Sequence, residues 1–250
     1  MTQLTNKIAI VTGAGSGFGE GIARAYVAEG AMVVLTDINA ASVSRVAGEL
    51  GTNAEFYVCD VADKAQVQGL VDYSVATFGE PDIVVNNAGI THDNGPMTAV
   101  DEETYERLFA VNVKSVYNMT LAVVPLMKAR RSGVIINIGS TAGIRPRPGL
   151  VWYNATKAAV NNISKTMAVE LGPDNIRVNA ICPVIGETGL TSQFMGVPDT
   201  PENRAKFVAT IPLGRFSTPR DIANAAVFLA SDAADFLTGM EFPVDGGRTV

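Results

Sequence analysis

The apolar pattern of this chain changes period repeatedly, and that constrains the fold more than any other feature. Lys7–Val11 is a strand-length apolar run. After the stretch TGAGSGFG the spacing turns helical, with Ile22, Ala23, Tyr26 and Val27 on one face and Gly30 as the stop. Met32–Leu35 is the next short run, closed by Thr36-Asp37, and Ala40–Leu50 is helical up to Gly51. A third strand is expected over Ala54–Cys59, ended by Asp60. Asp63 then caps a helix reaching Phe78 and stopped at Gly79. Asp82–Val85 is a fourth strand, running into Asn86-Asn87-Ala88-Gly89. Two helical stretches follow, Glu102–Asn112 and Val113–Arg130, then a fifth strand over Val134–Ile138 and a long helix over Val151–Leu171. Ile176–Ile181 is the sixth strand, Gly186–Thr210 an irregular Pro/Gly-punctuated stretch with helical pieces, Pro219–Ser231 a helix and Gly239–Val244 the last strand.

Strands without polar alternation are covered on both faces, and strands separated by helices pair in parallel. Right-handed crossovers then give an α/β fold: a single doubly wound sheet with helices on both faces. No linker, repeat or charge block divides the chain, so residues 1–250 are expected to form one domain.

Composition matters here mainly for what it excludes. The net charge of -6 gives nucleic acid or an anionic membrane nothing to bind. No apolar run reaches the ~18–20 residues of a membrane span, and MTQLTNKIAIVTG lacks the marks of a secretory signal. Cys59 and Cys182 sit far apart in apolar contexts, as expected of buried free thiols in a reducing cytoplasm. His92 is the only histidine, so a metal centre would need other ligands, and none is expected.

Gly13-Ala14-Gly15-Ser16-Gly17-Phe18-Gly19 lies between the first strand and the first helix. Glycines there let backbone approach a pyrophosphate, and the helix N-terminus offers free N–H groups. Asp37 closes the second strand, where a carboxylate accepts hydrogen bonds from the adenosine ribose and repels a 2′-phosphate. No Arg or Lys occurs between Val27 and Val43, so NAD(H) is preferred over NADP(H). Asp60-Val61 and Asn86-Asn87-Ala88-Gly89 end strands three and four at the sheet edge where ligands bind. Asn112, by its residue type alone, reads as a solvated helix Asn.

Tyr153 and Lys157 stand four residues apart, on one helix face, downstream of Ser140. A free phenol titrates near pH ~10 and must fall by about 3–4 kcal/mol to exchange protons near neutrality. A cation ~4 Å away at an effective dielectric of ~20 supplies about 4 kcal/mol. Lys157, helped by an oxidised nicotinamide, is therefore expected to lower the Tyr153 pKa.

Thr12-Gly13-x-x-x-Gly17-x-Gly19, Asn86-Asn87-Ala88-Gly89, Asn112, Ser140 and Tyr153-x-x-x-Lys157 together resemble the short-chain dehydrogenase/reductase family, from Lys7 to Gly247. The resemblance implies a Rossmann-type fold with a seven-stranded parallel sheet, usually in a homotetramer. It implies Asn112, Ser140, Tyr153 and Lys157 as the catalytic set. Ser140 would hold the substrate oxygen, Tyr153 would exchange its proton, Lys157 would also hold the nicotinamide ribose and Asn112 would support a water. It assigns Gly13, Ser16, Gly17, Phe18, Gly19, Asp37, Asp60, Val61, Asn87, Ala88, Gly89, Pro183 and Thr188 to the cofactor, NAD. Phe242 to Gly247 match the family's last strand and turn. The chain departs from the family after strand six. Pro183-Val184-Ile185-Gly186-Glu187-Thr188 stands where Pro-Gly-x-Ile/Val-x-Thr is usual, with Val184 and Gly186 apparently exchanged.

The implied reaction interconverts a ketone and a secondary alcohol by hydride transfer. Residues 186–210 are expected to form a lid. Candidate substrate contacts are Thr91, His92, Asn94, Thr141, Ile144, Arg145, Val151, Trp152, Val184 to Gly189 and Leu190 to Met195. Arg145 and Arg147 offer charge for an acidic substrate or carrier. Two rival readings are a 3-oxoacyl-carrier-protein reductase, which commonly uses NADP(H), and a non-catalytic dinucleotide-binding protein.

Overall fold

The computed structural model describes residues 2–250. In chain order the strands and helices are β1 (Ile8–Thr12), α1 (Gly17–Ala28), β2 (Met32–Asp37), α2 (Ala40–Leu50), β3 (Ala54–Val58), α3 (Lys64–Thr77), β4 (Ile83–Asn86), α4 (Glu102–Phe109), α5 (Ser115–Arg130), β5 (Gly133–Ile138), α6 (Val151–Leu171), β6 (Ile176–Pro183), α7 (Thr191–Met195), α8 (Pro201–Val208), α9 (Pro219–Ala230) and β7 (Glu241–Val244). Seven strands form one parallel sheet in the order β3-β2-β1-β4-β5-β6-β7. The order reverses between β1 and β4, so the crossovers on either side leave a crevice at their carboxyl ends.

The period-2 geometry of a strand sends alternate residues to opposite layers. Ala9 and Val11 of β1, with Val33 and Leu35 of β2 and Ile136 and Ile138 of β5, pack against α1, α2 and α9 through Ile22, Tyr26, Val46 and Ile222. Ile10, Val34, Val84, Ile135 and Val178 point the other way, onto α3, α5 and α6 through Leu70, Val123, Met127 and Leu171. Each fully buried aliphatic side chain contributes about 1.5–3 kcal/mol, enough to offset the ~1–2 kcal/mol of ordering one backbone residue. That explains strands with no polar alternation.

Three polar side chains interrupt this apolar interior as a chain. Asn86 Nδ2 donates to Asn137 Oδ1 at 2.8 Å, and Asn137 Nδ2 donates to Ser164 Oγ at 2.9 Å. They lock β4, β5 and α6 in register beneath the crevice, since buried polar groups cost free energy unless paired.

One expectation is corrected. The stretches Glu102–Asn112 and Val113–Arg130 are not two helices: a π-helical turn at Ala110–Lys114 joins α4 and α5 into one helix of 29 residues. By length and composition this helix could cross a membrane, yet Leu108 is fully buried and Met119, Ala122, Val123 and Met127 pack in the second core layer. Residues 186–210 carry the expected helical pieces, α7 and α8, packed with Val184, Ile211 and Phe216. The two cysteines are free and buried.

Candidate active site

The main cavity follows the crevice from Asp37 to the C-terminal segment. At its floor, Thr12 Oγ1 accepts from the amides of Asn87 (2.9 Å) and Ala88 (3.0 Å) and donates to the Val85 carbonyl (3.3 Å). Asn87 Nδ2 donates to the Thr12 carbonyl at 2.8 Å and the Gly13 carbonyl at 3.1 Å. The two strand ends are thereby clamped across the switch point. Gly13 has φ +63, and a side chain there would stand 2.9 Å from Ala88 Cα. A side chain at Gly19 would collide with the Gly13 carbonyl oxygen. Ser16 precedes α1 without capping it, so the first-turn amides of α1 are left for a ligand. This bare backbone at a helix N-terminus fits a dinucleotide pyrophosphate.

Asp37 sits at the end of β2, with Oδ2 accepting from the Gly15 amide and Oδ1 from the Asn39 amide, both at 3.0 Å. These bonds fix the carboxylate in the cavity wall with lone pairs to spare for a ribose diol. A basic residue that the sequence interval missed lies beside it: Arg45 of α2 reaches the Gly15 carbonyl at 3.4 Å. Its charge is engaged by Glu20 and Glu49, each at 3.0 Å.

At the other end, β5 delivers Ser140 in extended backbone, its Oγ fixed by the Ala142 amide at 3.0 Å. Tyr153 and Lys157 of α6 are buried beside it. The Tyr153 ring packs edge-on against Phe194 of α7, centroids 5.0 Å apart. Lys157 Nζ donates to the Ile138 carbonyl at 2.8 Å and lies 5.9 Å from the Tyr153 ring centroid. Burial pushes the Tyr153 phenol up to about 12; the Ser140 hydroxyl opposes that shift without overcoming it. Burial likewise pushes the Lys157 ammonium down to about 8. For the side chains alone, burial outweighs the lowering that Lys157 is expected to exert together with an oxidised nicotinamide. Desolvation dominates both groups, and the ammonium donates to a backbone carbonyl.

Asn112 occupies the π-turn and is buried, not solvated. Its Oδ1 accepts from the Ile90 amide at 2.8 Å, and its Nδ2 donates to the Ile90 carbonyl at 2.9 Å and to Thr156 Oγ1 at 3.0 Å. It pins the segment after Gly89 to α6. The extra residue of a π-turn is what turns this side chain inward.

Residues 13–249 match a family model described as Enoyl-(Acyl carrier protein) reductase. The chain is 47% identical over 251 residues to a 4-formylbenzenesulfonate dehydrogenase of Comamonas testosteroni, covering 99% of this chain and 100% of that one. The chain belongs to the short-chain dehydrogenase/reductase family. That membership makes it an oxidoreductase. Another relative is a 3-oxoacyl-[acyl-carrier-protein] reductase of Thermotoga maritima, 38% identical with 99% and 100% covered. The crystal structure of a 3-ketoacyl-(acyl-carrier-protein) reductase from Brucella melitensis complexed with NADH superimposes with a TM-score of 0.93, at 44% identity over 99% of this chain and 100% of that one.

Within this short-chain dehydrogenase/reductase, Gly13, Ser16, Gly17, Phe18, Asp37, Asn87, Ala88, Gly89, Ser140, Tyr153, Lys157, Pro183 and Thr188 all line one cavity. Gly19, Asp60, Val61 and Asn112 stand outside its lining. Asp60 caps its own turn, with Oδ1 accepting from the Ala62 amide at 2.9 Å, and the Val61 side chain packs in the core. Of the candidate substrate contacts, Thr141, Arg145, Val184 to Gly186, Thr188 to Leu190 and Phe194 line the cavity. Thr91 and His92 are buried away from it, and Trp152 Nε1 donates instead to the Met97 carbonyl at 3.2 Å. Leu150, Arg248 and Thr249 line it too. Leu150 escaped notice because the α6 boundary hid its inward turn, and the C-terminal pair because nothing in sequence announces that the end of the chain returns.

The departure after strand six has a steric reading. Val184 belongs to the small cluster beneath α7 and α8. A side chain at Gly186 would collide with the Phe18 ring and approach Ser217 Oγ to 2.9 Å. Gly186 and Phe18 therefore fit each other. Among the described residues, no group of three or more His, Cys, Asp or Glu side chains is placed to hold a metal ion.

Proposed function

We propose that this protein is an NAD-dependent oxidoreductase that interconverts a small ketone and a secondary alcohol. The observation that carries the reading is the meeting of Ser140, Tyr153 and Lys157 in the cavity that also contains Asp37 and the bare Gly13–Gly17 backbone. Bound NAD(H) supplies the hydride acceptor or donor. Asp37 would hold the adenosine ribose and the α1 N-terminus the pyrophosphate; Asp60 and Val61, which stand outside the cavity lining, would meet the adenine at its edge, and Pro183 and Thr188 the nicotinamide end.

Ser140 donates a hydrogen bond to the substrate oxygen while its own Oγ accepts from Ala142. Tyr153 holds the proton exchanged with that oxygen. A phenol with its pKa near 12 is protonated across the neutral range, the state required to donate to a forming alkoxide. Lys157 would hold the nicotinamide ribose, and Asn112 acts as a positioning residue through the Ile90 backbone. Residues 186–210 close over the substrate, excluding water.

The homotetramer belongs to the same proposal. It is supported by an apolar groove of Phe109, Val113, Val116, Tyr117, Ile163 and Met167, in which Tyr117 is 57% exposed. A cytoplasmic location is supported by the two unpaired buried thiols. Reduction of a carrier-bound 3-oxoacyl group stands as the second reading, favoured by two of the three named proteins. Cofactor preference does not separate the two, because the Brucella melitensis carrier-protein reductase is itself complexed with NADH.

The test is consumption of NADH and of NADPH across a panel of ketones and one 3-oxoacyl thioester. Turnover of simple ketones with NADH is expected. Turnover confined to the thioester would favour the second reading, and none with any carbonyl would remove both.

A further inference from the structure

The substrate end of the cavity carries an unbalanced positive charge. Arg145, Arg147 and Arg248 all line it, together with Lys157, while the only acidic lining residue is Asp37 at the adenosine end. Among the described residues, none of the three arginines is ion-paired with a carboxylate, although most other arginines of the chain are.

The arrangement is built, not frayed. Arg147 is half-buried, with its guanidinium 4.7 Å from the centroid of the Phe207 ring of α8. Its carbonyl accepts from Asn154 Nδ2 at 2.8 Å, which ties it to the residue after Tyr153. Arg145 donates to the Arg248 carbonyl at 3.0 Å and so draws the end of the chain to the cavity. That end is held in a turn by Asp245, whose carboxylate accepts from the amides of Gly247 (2.9 Å) and Thr249 (2.8 Å). A partly desolvated guanidinium facing a second one costs free energy unless an anion joins them. Burial, and then the charge of Arg248, hold the Arg147 pKa below that of an ordinary arginine. The dinucleotide phosphates do not meet this need, being placed at the Gly13–Gly17 backbone. The same cavity carries an apolar wall of Ala142, Leu150 and Phe194 packed around Tyr153.

We propose that Arg147, flanked by Arg145 and Arg248, forms an anion subsite, and that the substrate is a small carbonyl compound with an apolar body and a carboxylate or sulfonate at the end remote from the reacting carbon. The inference rests on the proposed carbonyl chemistry of Ser140 and Tyr153. The planar guanidinium fork matches either oxyanion, and the apolar wall takes an aryl or short alkyl body.

The probes are 4-acetylbenzoate, 4-acetylbenzenesulfonate and the uncharged methyl ester of the first. With NADH, wild-type kcat/KM should favour both acids over the ester. Arg147→Met should lower that acid-to-ester ratio roughly 10–100-fold, the range of a charge-assisted hydrogen bond, and Arg147→Lys should restore part of it. Equal turnover of acid and ester by the wild type overturns the subsite and leaves the carbonyl chemistry standing. A loss in Arg147→Met that falls on the KM for NADH, with the ratio unchanged, assigns the guanidinium to the cofactor and also overturns it. If no ketone turns over, the dissociation constants of the acid and ester for the NADH-loaded protein, read by quenching of nicotinamide fluorescence, decide the matter. Tighter binding of the acid that Arg147→Met abolishes supports the subsite, and equal binding refutes it.

Discussion

Replacing Lys157 by Met should stabilise the protein while removing a group the chemistry needs. Lys157 is 6% exposed, and burial lowers its pKa to about 8 from the ordinary 10.5, with Cys182 acting weakly in the opposite sense. The folded-state pKa lies below the unfolded one, so the folded chain resists the charged form. The cost is present in full below pH about 8 and is relieved as pH rises from about 8 towards 10.5. At ~1.36 kcal/mol per pH unit that separation is about 3 kcal/mol. Met keeps the length and apolar stem of the side chain but loses the donor to the Ile138 carbonyl, which takes back about 1–2 kcal/mol. Lys157→Met should therefore be about 1–2 kcal/mol more stable than wild type at pH ~7, with the gap closing or reversing near pH ~10. Urea unfolding of both proteins across that range, at fixed protein concentration, measures it. A Met variant less stable than wild type at neutral pH, or a difference independent of pH, would refute the reasoning. The Tyr153 phenol, raised to about 12, contributes above this window in both proteins.

Other outcomes follow from the same geometry. Asp37→Ala should weaken NADH far more than NADPH, and Arg at position 38, where Ile38 is 65% exposed, should move preference towards NADPH. Two lost ribose hydrogen bonds to a carboxylate, at about 1.5–3 kcal/mol each, set a discrimination on the order of 10²-fold or more in the wild type. Comparable kcat/KM for both cofactors in the wild type would remove Asp37 from that role. Gly186→Ala should cost about 1–3 kcal/mol of stability and raise the KM for NADH by displacing Phe18, and trimming the ring in Gly186→Ala/Phe18→Leu should recover most of the stability. Additive losses in the double variant would show that the two residues are not coupled. Hydrogen exchange over residues 186–210 should be faster than in the sheet and slow on adding NADH; protection equal to that of the sheet in both states would argue against a lid.

Much of the fold was legible because the period of the apolar pattern and the Gly, Asp and Asn stops are local signals. Short runs such as Val134–Ile138 have no reading but a buried strand when helices flank them. The helix from Glu102 to Arg130 was read as two because Asn112 is an indifferent helix former, and a π-turn leaves no signature in residue type. The cavity was legible where backbone chemistry demands particular residues, at Gly13 to Gly19 and at Asp37. It was illegible where long-range placement decides. Arg45 reaches Gly15 from a full helix away, and Arg248 arrives from the end of the chain. The spacing of Lys157 and Tyr153 on a helix says nothing of burial, which dominates both pKa values.

The most direct measurement is the steady-state rate of NADH oxidation by wild type and Tyr153→Phe with one ketone, alongside NADH affinity and far-UV circular dichroism of both. Phe keeps the ring against Phe194 and deletes only the hydroxyl. Turnover should fall by at least the ~10²–10⁴-fold of general acid–base catalysis, with NADH binding and secondary structure retained. A Tyr153→Phe protein that reduces the ketone at close to the wild-type rate would contradict the assignment of the proton to Tyr153.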